Sequence, residues 1–168
     1  MKLIELNTRP IKNKENKNLF AQVDDSDFEF LNSFMWYGQP QLTGKYYAVR
    51  QSLLENGKQR TVRMHMVIMN TPKGKHTDHK DGDGLNNQRN NLRICTPGQN
   101  QMNKIGSKNV TSKYKGVWYC KNKKGWMVAI RAYNKRMPIG RFKTEENAAI
   151  AYNIFAEKYH GEFANYNK

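Results

Sequence analysis

The stretch DHKDGDGLNNQRNNLRICTPGQN, residues 78–100, reads as strand, turn, strand and helix. Gly82 and Gly84 sit among Asp and Asn, the composition of a tight reversal, because glycine accepts left-handed backbone and Asx side chains bond their own turns. Beyond the reversal NNLR returns alongside an extended run at 77–80, and Pro97 stands where the first turn of a helix over GQNQMNK tolerates it. Just upstream, RMHMVIMN (63–70) has the makings of a short apolar helix stopped by Thr71-Pro72. Further out, KYYAVRQ (45–51) and QRTVRM (59–64) are strand-like runs flanking an Asn56-Gly57 hairpin signal. LFAQV (19–23) alternates as a strand, and DDSDFEFLNSF continues as a short helix with Ser26 and Glu29 at capping-box spacing.

On the other side, IGSKNVTSK (105–113) is polar and unpatterned, which puts a domain boundary near residue 108. YKGVWYC, GWMVAIRA and RMPIGRF then read as three short strands of one antiparallel sheet, joined by KNKKG and YNK turns. A helix follows over TEENAAIAYNIFAEKYHG, with Thr144 as N-cap, Glu145 and Glu146 in its positive first turn and Gly161 as its stop. Its small residues Ala148, Ala149, Ala151 and Ala156 share a stripe with Tyr152, Phe155 and Tyr159, so it should lie close over the sheet. Two domains are expected, 1–107 and 108–168, in an α+β chain.

With 168 residues, a hydrophobic share of 38% and a formal charge of +15, the chain supports small cores and an anionic partner. Phosphate neutralisation and counterion release make nucleic acid the leading class. The charge is richest late: residues 108–168 carry 13 Lys and Arg against 4 Asp and Glu. No run approaches the roughly 18 to 20 apolar residues of a membrane span, and MKLIELNTRPIKNK lacks the apolar centre of a signal peptide, so a soluble, unexported, cytoplasmic protein is expected. Cys95 and Cys120 alone make neither a disulfide framework nor a zinc site.

The 78–100 loop holds the parts needed to cut a phosphodiester, which requires an activated nucleophile and neutralised phosphate oxygens. Asp78 offers a hard oxygen for Mg²⁺, while His79, its neighbour on an extended strand, points the other way and can take a proton from water near neutral pH. Asn91 is placed to brace the loop, and Asn100 could bring an amide oxygen to the same cation. Turn chemistry alone accounts for the same residue types, and an Asp-His pair is commonly a solvated surface feature.

Taken together, DHKDG, NNQRNNLR and an Asn nine residues beyond Asn91 resemble the HNH endonuclease motif of phage and intron homing enzymes. The resemblance implies a ββα-metal (His-Me finger) fold with His79 as general base, Asp78 and Asn100 as ligands of one divalent cation and Asn91 as the residue orienting the histidine loop. Many relatives of that type end in His where this chain has Asn100, so both protein ligands are oxygens, which favours Mg²⁺ or Mn²⁺. The family's upstream histidine is matched by His65, either a packing residue or a phosphate contact. His76 reads as a surface residue.

Residues 112–167 are similar to the plant ethylene-response-factor (APETALA) DNA-binding domain through YKGV, WMVAI, IGRF, the ENAAIAY helix and the closing G-x-x-A-x-x-N. That resemblance implies a three-stranded sheet in the DNA major groove, with Lys115, Trp118, Trp126, Arg131 and Arg141 as contact candidates. Tyr114, Val117, Ile130, Ile139 and Phe142 read as core, Trp126 as either core or contact, and Lys121, Lys123 and Lys124 as a solvated turn. The expected activity is homing-type cleavage of double-stranded DNA with no small-molecule cofactor. A noncatalytic DNA-binding regulator with a degenerate HNH fold is the alternative.

Overall fold

The computed structural model describes residues 1–7, 18–41, 44–103, 111–133 and 135–168. It is a mixed α/β structure of small antiparallel sheets and few helices, and it divides into two compact units, Met1–Thr96 and Pro97–Lys168. The boundary expected near 108 falls among 104–110, outside the described residues, as does most of the polar IGSKNVTSK segment.

In the first unit β1 (Lys2–Leu6) pairs antiparallel with β2 (Leu19–Val23). β1, which the sequence reading did not mark, alternates: Ile4 and Leu6 are buried while Leu3 and Glu5 are exposed. Helix α1 (Asp25–Asn32) follows, with Asp24 as its N-cap residue. The capping box expected at Ser26 is not formed: Ser26 lies inside the helix, and Asp24 makes no side-chain cap bond. The Asp24 carboxylate is taken instead by the backbone N–H of Arg89 at 2.8 Å and the Gln88 amide at 3.4 Å. Asp27 one turn later grips the Arg89 guanidinium through bonds of 2.6 and 2.8 Å. The acidic start of α1 therefore ties down the polar loop rather than capping its own helix.

A second sheet holds β3 (Tyr37–Pro40), β4 (Tyr46–Leu53) and β5 (Gln59–Arg63) in that order. The β4–β5 reversal is closed by backbone bonds from the Leu54 N–H to the Lys58 carbonyl and from the Gly57 N–H to the Leu54 carbonyl, with Gly57 at φ +74° where a side chain would be strained. The short helix α2 (Met64–Ile68) then leads to the β6 (His76–His79) and β7 (Leu92–Cys95) hairpin. One apolar cluster, including Ile4, Leu6, Val23, Leu31, Trp36 and Met64, closes this unit.

In the second unit, after α3 (Pro97–Asn103), strands β8 (Val117–Cys120), β9 (Gly125–Ala132) and β10 (Lys135–Phe142) form a sheet with β9 central. Helix α4 (Glu145–His160) packs on one face, burying Ala148, Ala149, Tyr152 and Ala156. Thr144 caps it by accepting from the Asn147 N–H at 3.2 Å. Of the expected core residues, Val117 and Ile130 are buried and Tyr114, Ile139 and Phe142 are partly buried against them. The closing Asn167 binds the backbone N–H and carbonyl of Lys115 at 2.7 and 3.1 Å, which fastens the chain end to the start of the sheet.

Candidate functional site: a buried histidine in a braced polar loop

Loop 80–91 is built almost wholly from its own Asx side chains. Asn91 accepts from the Asp81 N–H at 3.2 Å and donates to the Asp81 carboxylate at 3.0 Å and the Asn86 carbonyl at 2.8 Å, so it joins both ends of the loop. Burial pushes the Asp81 carboxyl up, but the Asp83 N–H and the Asn86 and Asn91 amides outweigh it and leave its pKa lowered. Outside the loop, Gln22 on β2 exchanges backbone bonds with Leu85 and Asn87, each 2.8 Å, and Lys45 donates to the Gly82 carbonyl at 2.5 Å. Gly82 has φ +70°, and at Gly84 a Cβ would collide with the Tyr46 carbonyl oxygen and the Tyr47 ring. Gly82 is thus required by its left-handed backbone and Gly84 by the close seating of the loop on β4.

At the end of β6 the side chains of Asp78 and His79 make different contacts. Asp78 lies opposite Arg93 in the ladder, and the guanidinium bonds one carboxylate oxygen, Oδ2, through Nε at 3.1 Å and Nη2 at 2.9 Å. His79 is buried, with its Nε2 3.3 Å from the Asn87 amide oxygen. Its ring meets His65 edge to face at 4.8 Å between centroids and Tyr47 at 5.8 Å. Burial pushes the His79 pKa down, against the Asn87 bond and the carboxylates of Asp81, Asp78 and Asp83. The buried ring is therefore held toward its neutral, proton-accepting form.

His65 is also buried, and its Nδ1 has no hydrogen-bond partner. Burial first, then His79 and Arg63, push its pKa down to about 3. A histidine that stays neutral in the fold but protonates near 6.5 when unfolded leaves stability intact above that pH and erodes it as pH falls toward the folded value. The slope is about 1.4 kcal/mol per pH unit, or about 2 kcal/mol at about pH 5. Between about pH 7 and about pH 5, wild type should lose about that much more unfolding free energy than His65→Phe. Equal losses in urea titrations would show that His65 does not carry the effect.

In the second unit, cross-strand partners fix the sheet faces. Trp118 pairs with Met127, Met127 with Arg141, and Arg131 with Arg136, so these residues share the face opposite α4. The Arg136 guanidinium lies 4.4 Å from the Trp118 ring centroid, spanning that face. Arg131 and Arg141 are exposed, and Arg141 donates to the Lys123 carbonyl at 2.7 Å. Trp126, read as either contact or core, takes the core position rather than joining the contact set. It pairs with Tyr119 and Phe142 on the α4 side and packs on the core. The Lys115 ammonium is bonded to the Met102 carbonyl and is pushed down to about 8 by burial, and it lines a cleft of about 860 Å³ with Arg131 and Arg136. His76 is exposed, as read from the sequence.

The family model for HNH endonucleases matches residues 70–102. A protein of Acanthamoeba polyphaga mimivirus, named an uncharacterized HNH endonuclease, is 32% identical over 152 residues, covering 90% of this chain and 76% of its own length. The chain belongs to the HNH endonuclease family. Protein 3.8 of Escherichia phage T7 is also similar, 34% identical over 95 residues, 56% of this chain and 78% of that protein.

For an HNH chain the family match spans the whole polar loop, β7 and most of α3, and so takes in Asp78, His79, Asn91 and Asn100. The structure brings Asp78, His79, Asn91 and His65 together in the first unit, whereas Asn100 lies on α3 in the second. Three participants are absent from the sequence reading: Asn87 on His79, Arg93 on Asp78 and Tyr47 beside both histidines. Hairpin register was the available signal for Arg93, since a cation placed directly opposite Asp78 is a favoured cross-strand partner.

Proposed function

We propose that this HNH protein is a site-directed, homing-type DNA endonuclease whose N-terminal module hydrolyses the phosphodiester and whose C-terminal module positions the duplex. The observation that carries the reading is His79, buried and neutral-leaning at the end of β6 in a loop that Asn91 ties at both ends. In this reading β6, β7 and α3 are the elements of a ββα-metal motif, and the functional modules are 1–107 and 108–168.

HNH endonucleases typically use a divalent metal, and the donor chemistry here fits one. Among the described residues no group of three or more His, Cys, Asp or Glu forms a metal cage. One carboxylate and one amide suit a hard cation that keeps much of its own water, as Mg²⁺ or Mn²⁺ does. The HNH resemblance makes Asp78 and Asn100 the residues that would hold it. When bound, such a cation would supply positive charge to offset charge developing on the phosphate and leaving oxygens. His79 takes the proton of the attacking water, Asn91 keeps the loop in shape, and Arg93 holds the Asp78 carboxylate from its Oδ2 side. The products are a 5′-phosphate and a 3′-hydroxyl.

The open face of the β8–β10 sheet, an ethylene-response-factor-like module in this reading, meets double-stranded DNA through Trp118, Arg131, Arg136 and Arg141, with Lys115 beside them. Trp126 supports the sheet from the other side. Arg131→Ala should weaken duplex binding and reduce the salt slope of log K by about one. An unchanged affinity and slope would remove that contact. The setting is the cytoplasm of a bacterial or phage-infected cell.

The decisive experiment incubates the protein with supercoiled plasmid in Mg²⁺, in Mn²⁺ and in EDTA, and resolves the products on a gel. Open circles report nicking and linear DNA reports double-strand cutting. Intact plasmid in every lane, alongside a retained gel shift and an uncut library of randomised duplexes, would favour a DNA-binding regulator.

A further inference from the structure

We propose that Asn87 selects the tautomer of His79, holding the proton on Nε2 and leaving Nδ1 as the atom that takes a proton from water. This rests on the reading of His79 as the general base and adds a positioning residue to it.

Asn87 is fully buried, and its backbone N–H donates to the Gln22 carbonyl on β2 at 2.8 Å. Its amide nitrogen donates to the Leu85 carbonyl at 3.1 Å. A carbonyl only accepts, so the amide nitrogen must face Leu85 and the amide oxygen must face the other way. That oxygen lies 3.3 Å from His79 Nε2, the long end of hydrogen-bonding distance. An amide oxygen also only accepts, so Nε2 has to be the donor. In a neutral imidazole one nitrogen donates and the other accepts, which assigns the lone pair to Nδ1. The chain of constraint runs from the β2 backbone through Asn87 to the ring, while His65 and Tyr47 limit how the ring can turn.

The proton balance follows. Water loses a proton to Nδ1 as its oxygen bonds phosphorus, and the P–O3′ bond breaks with its electron pair on the 3′-oxygen, which is protonated from solvent. The imidazolium then carries protons on both nitrogens, and its Nε2–H···O bond to Asn87 becomes charge-assisted and stronger. Asn87 therefore acts through His79 and touches no substrate atom.

The test is ¹⁵N spectroscopy of the full chain with labelled histidines, in EDTA and without DNA, at about pH 8, above the ordinary imidazole range. The His79 signals are assigned by their loss in His79→Gln. Wild type should show the Nε2–H pattern, with a solvent-protected Nε2 proton. An Nδ1–H pattern, or the averaged pattern of a freely exchanging ring, overturns the proposal whatever any variant does. In Asn87→Ala the protected proton should disappear and kcat should fall at unchanged KM, the loss bounded by the roughly 10⁴-fold cost of a base held in the wrong tautomer. A folded Asn87→Ala with the wild-type signals also overturns it, and if that variant does not fold, the wild-type spectrum decides. Because the spectra need neither metal nor DNA, the nuclease reading fails separately: uncut plasmid together with an Asn87-dependent Nε2–H ring would defeat the nuclease and leave the tautomer assignment standing.

Discussion

His79→Ala should reduce metal-dependent plasmid cleavage by about 10²- to 10⁴-fold, the range a positioned general base supplies, while the protein still shifts duplex DNA on a gel. The size of the loss follows from how little else at this position can accept a proton. His65, the nearest imidazole, is pushed down to about 3 by burial and is already committed to packing edge-on against His79. Asp81 is engaged by three hydrogen bonds within the loop, and Asp78 by Arg93. Binding should persist because Trp118, Arg131, Arg136 and Arg141 belong to a different unit with its own core. Single-turnover cleavage, gel shift and circular dichroism on the same preparation separate the possibilities. A rate within about tenfold of wild type would remove His79 as the base. Loss of both cleavage and the dichroic signal would mean that the ring is needed for folding instead.

What the sequence disclosed depended on whether the physics was local. Strand and helix runs with clear periodicity, from LFAQV to the ENAAIAY helix, form where the pattern puts them, because alternation and the 3.6-residue stripe act within one element. Asn56-Gly57, Thr144 and Gly161 act within a few residues and were legible for the same reason. Ser26 misled because a capping box is a local pattern that a distant partner can override. Asp24 and Asp27 are bound to Arg89, more than 60 residues away in sequence, and the helix begins where that grip puts it. The site divides along the same line. Four asparagines, Asn86, Asn87, Asn90 and Asn91, stand within six positions and look alike as turn formers. The sequence singled out Asn91, which ties the loop, but only the fold decides that Asn87 turns inward to His79 and that Asn90 lends its carbonyl to Lys80. Tyr47 was invisible because YYAV carries no alternation from which to choose the inward ring. On β9 the alternation was present but left Trp126 open between core and contact, and register assigns it and Trp118 to opposite faces.

Trp36→Ala should cost the first unit about 3 to 5 kcal/mol, the range for truncating a fully buried aromatic, and leave the second unit's stability unchanged. Trp36 is 1% exposed, and its indole N–H donates to the Leu31 carbonyl at 2.8 Å. Phe34 meets it edge-on at 6.4 Å, and Arg50 lies over both rings. Its backbone carbonyl accepts from the Asn7 N–H at 2.8 Å, so the residue links the end of β1 to the start of β3. Removing the ring opens a void beneath α1, and the start of α1 carries the Asp24 and Asp27 carboxylates that hold Arg89 in the polar loop. Since a domain of this size is stable by only about 5 to 15 kcal/mol, much of the first unit's margin should disappear. The chain supplies its own control. With Trp36 gone, the remaining tryptophans, Trp118 and Trp126, both report on the second unit. Fluorescence should therefore keep a wild-type urea midpoint while cleavage activity is lost at markedly lower urea. A cost below about 1 kcal/mol would contradict the central packing of Trp36. A fluorescence midpoint that moves together with activity would mean that the two cores unfold as one.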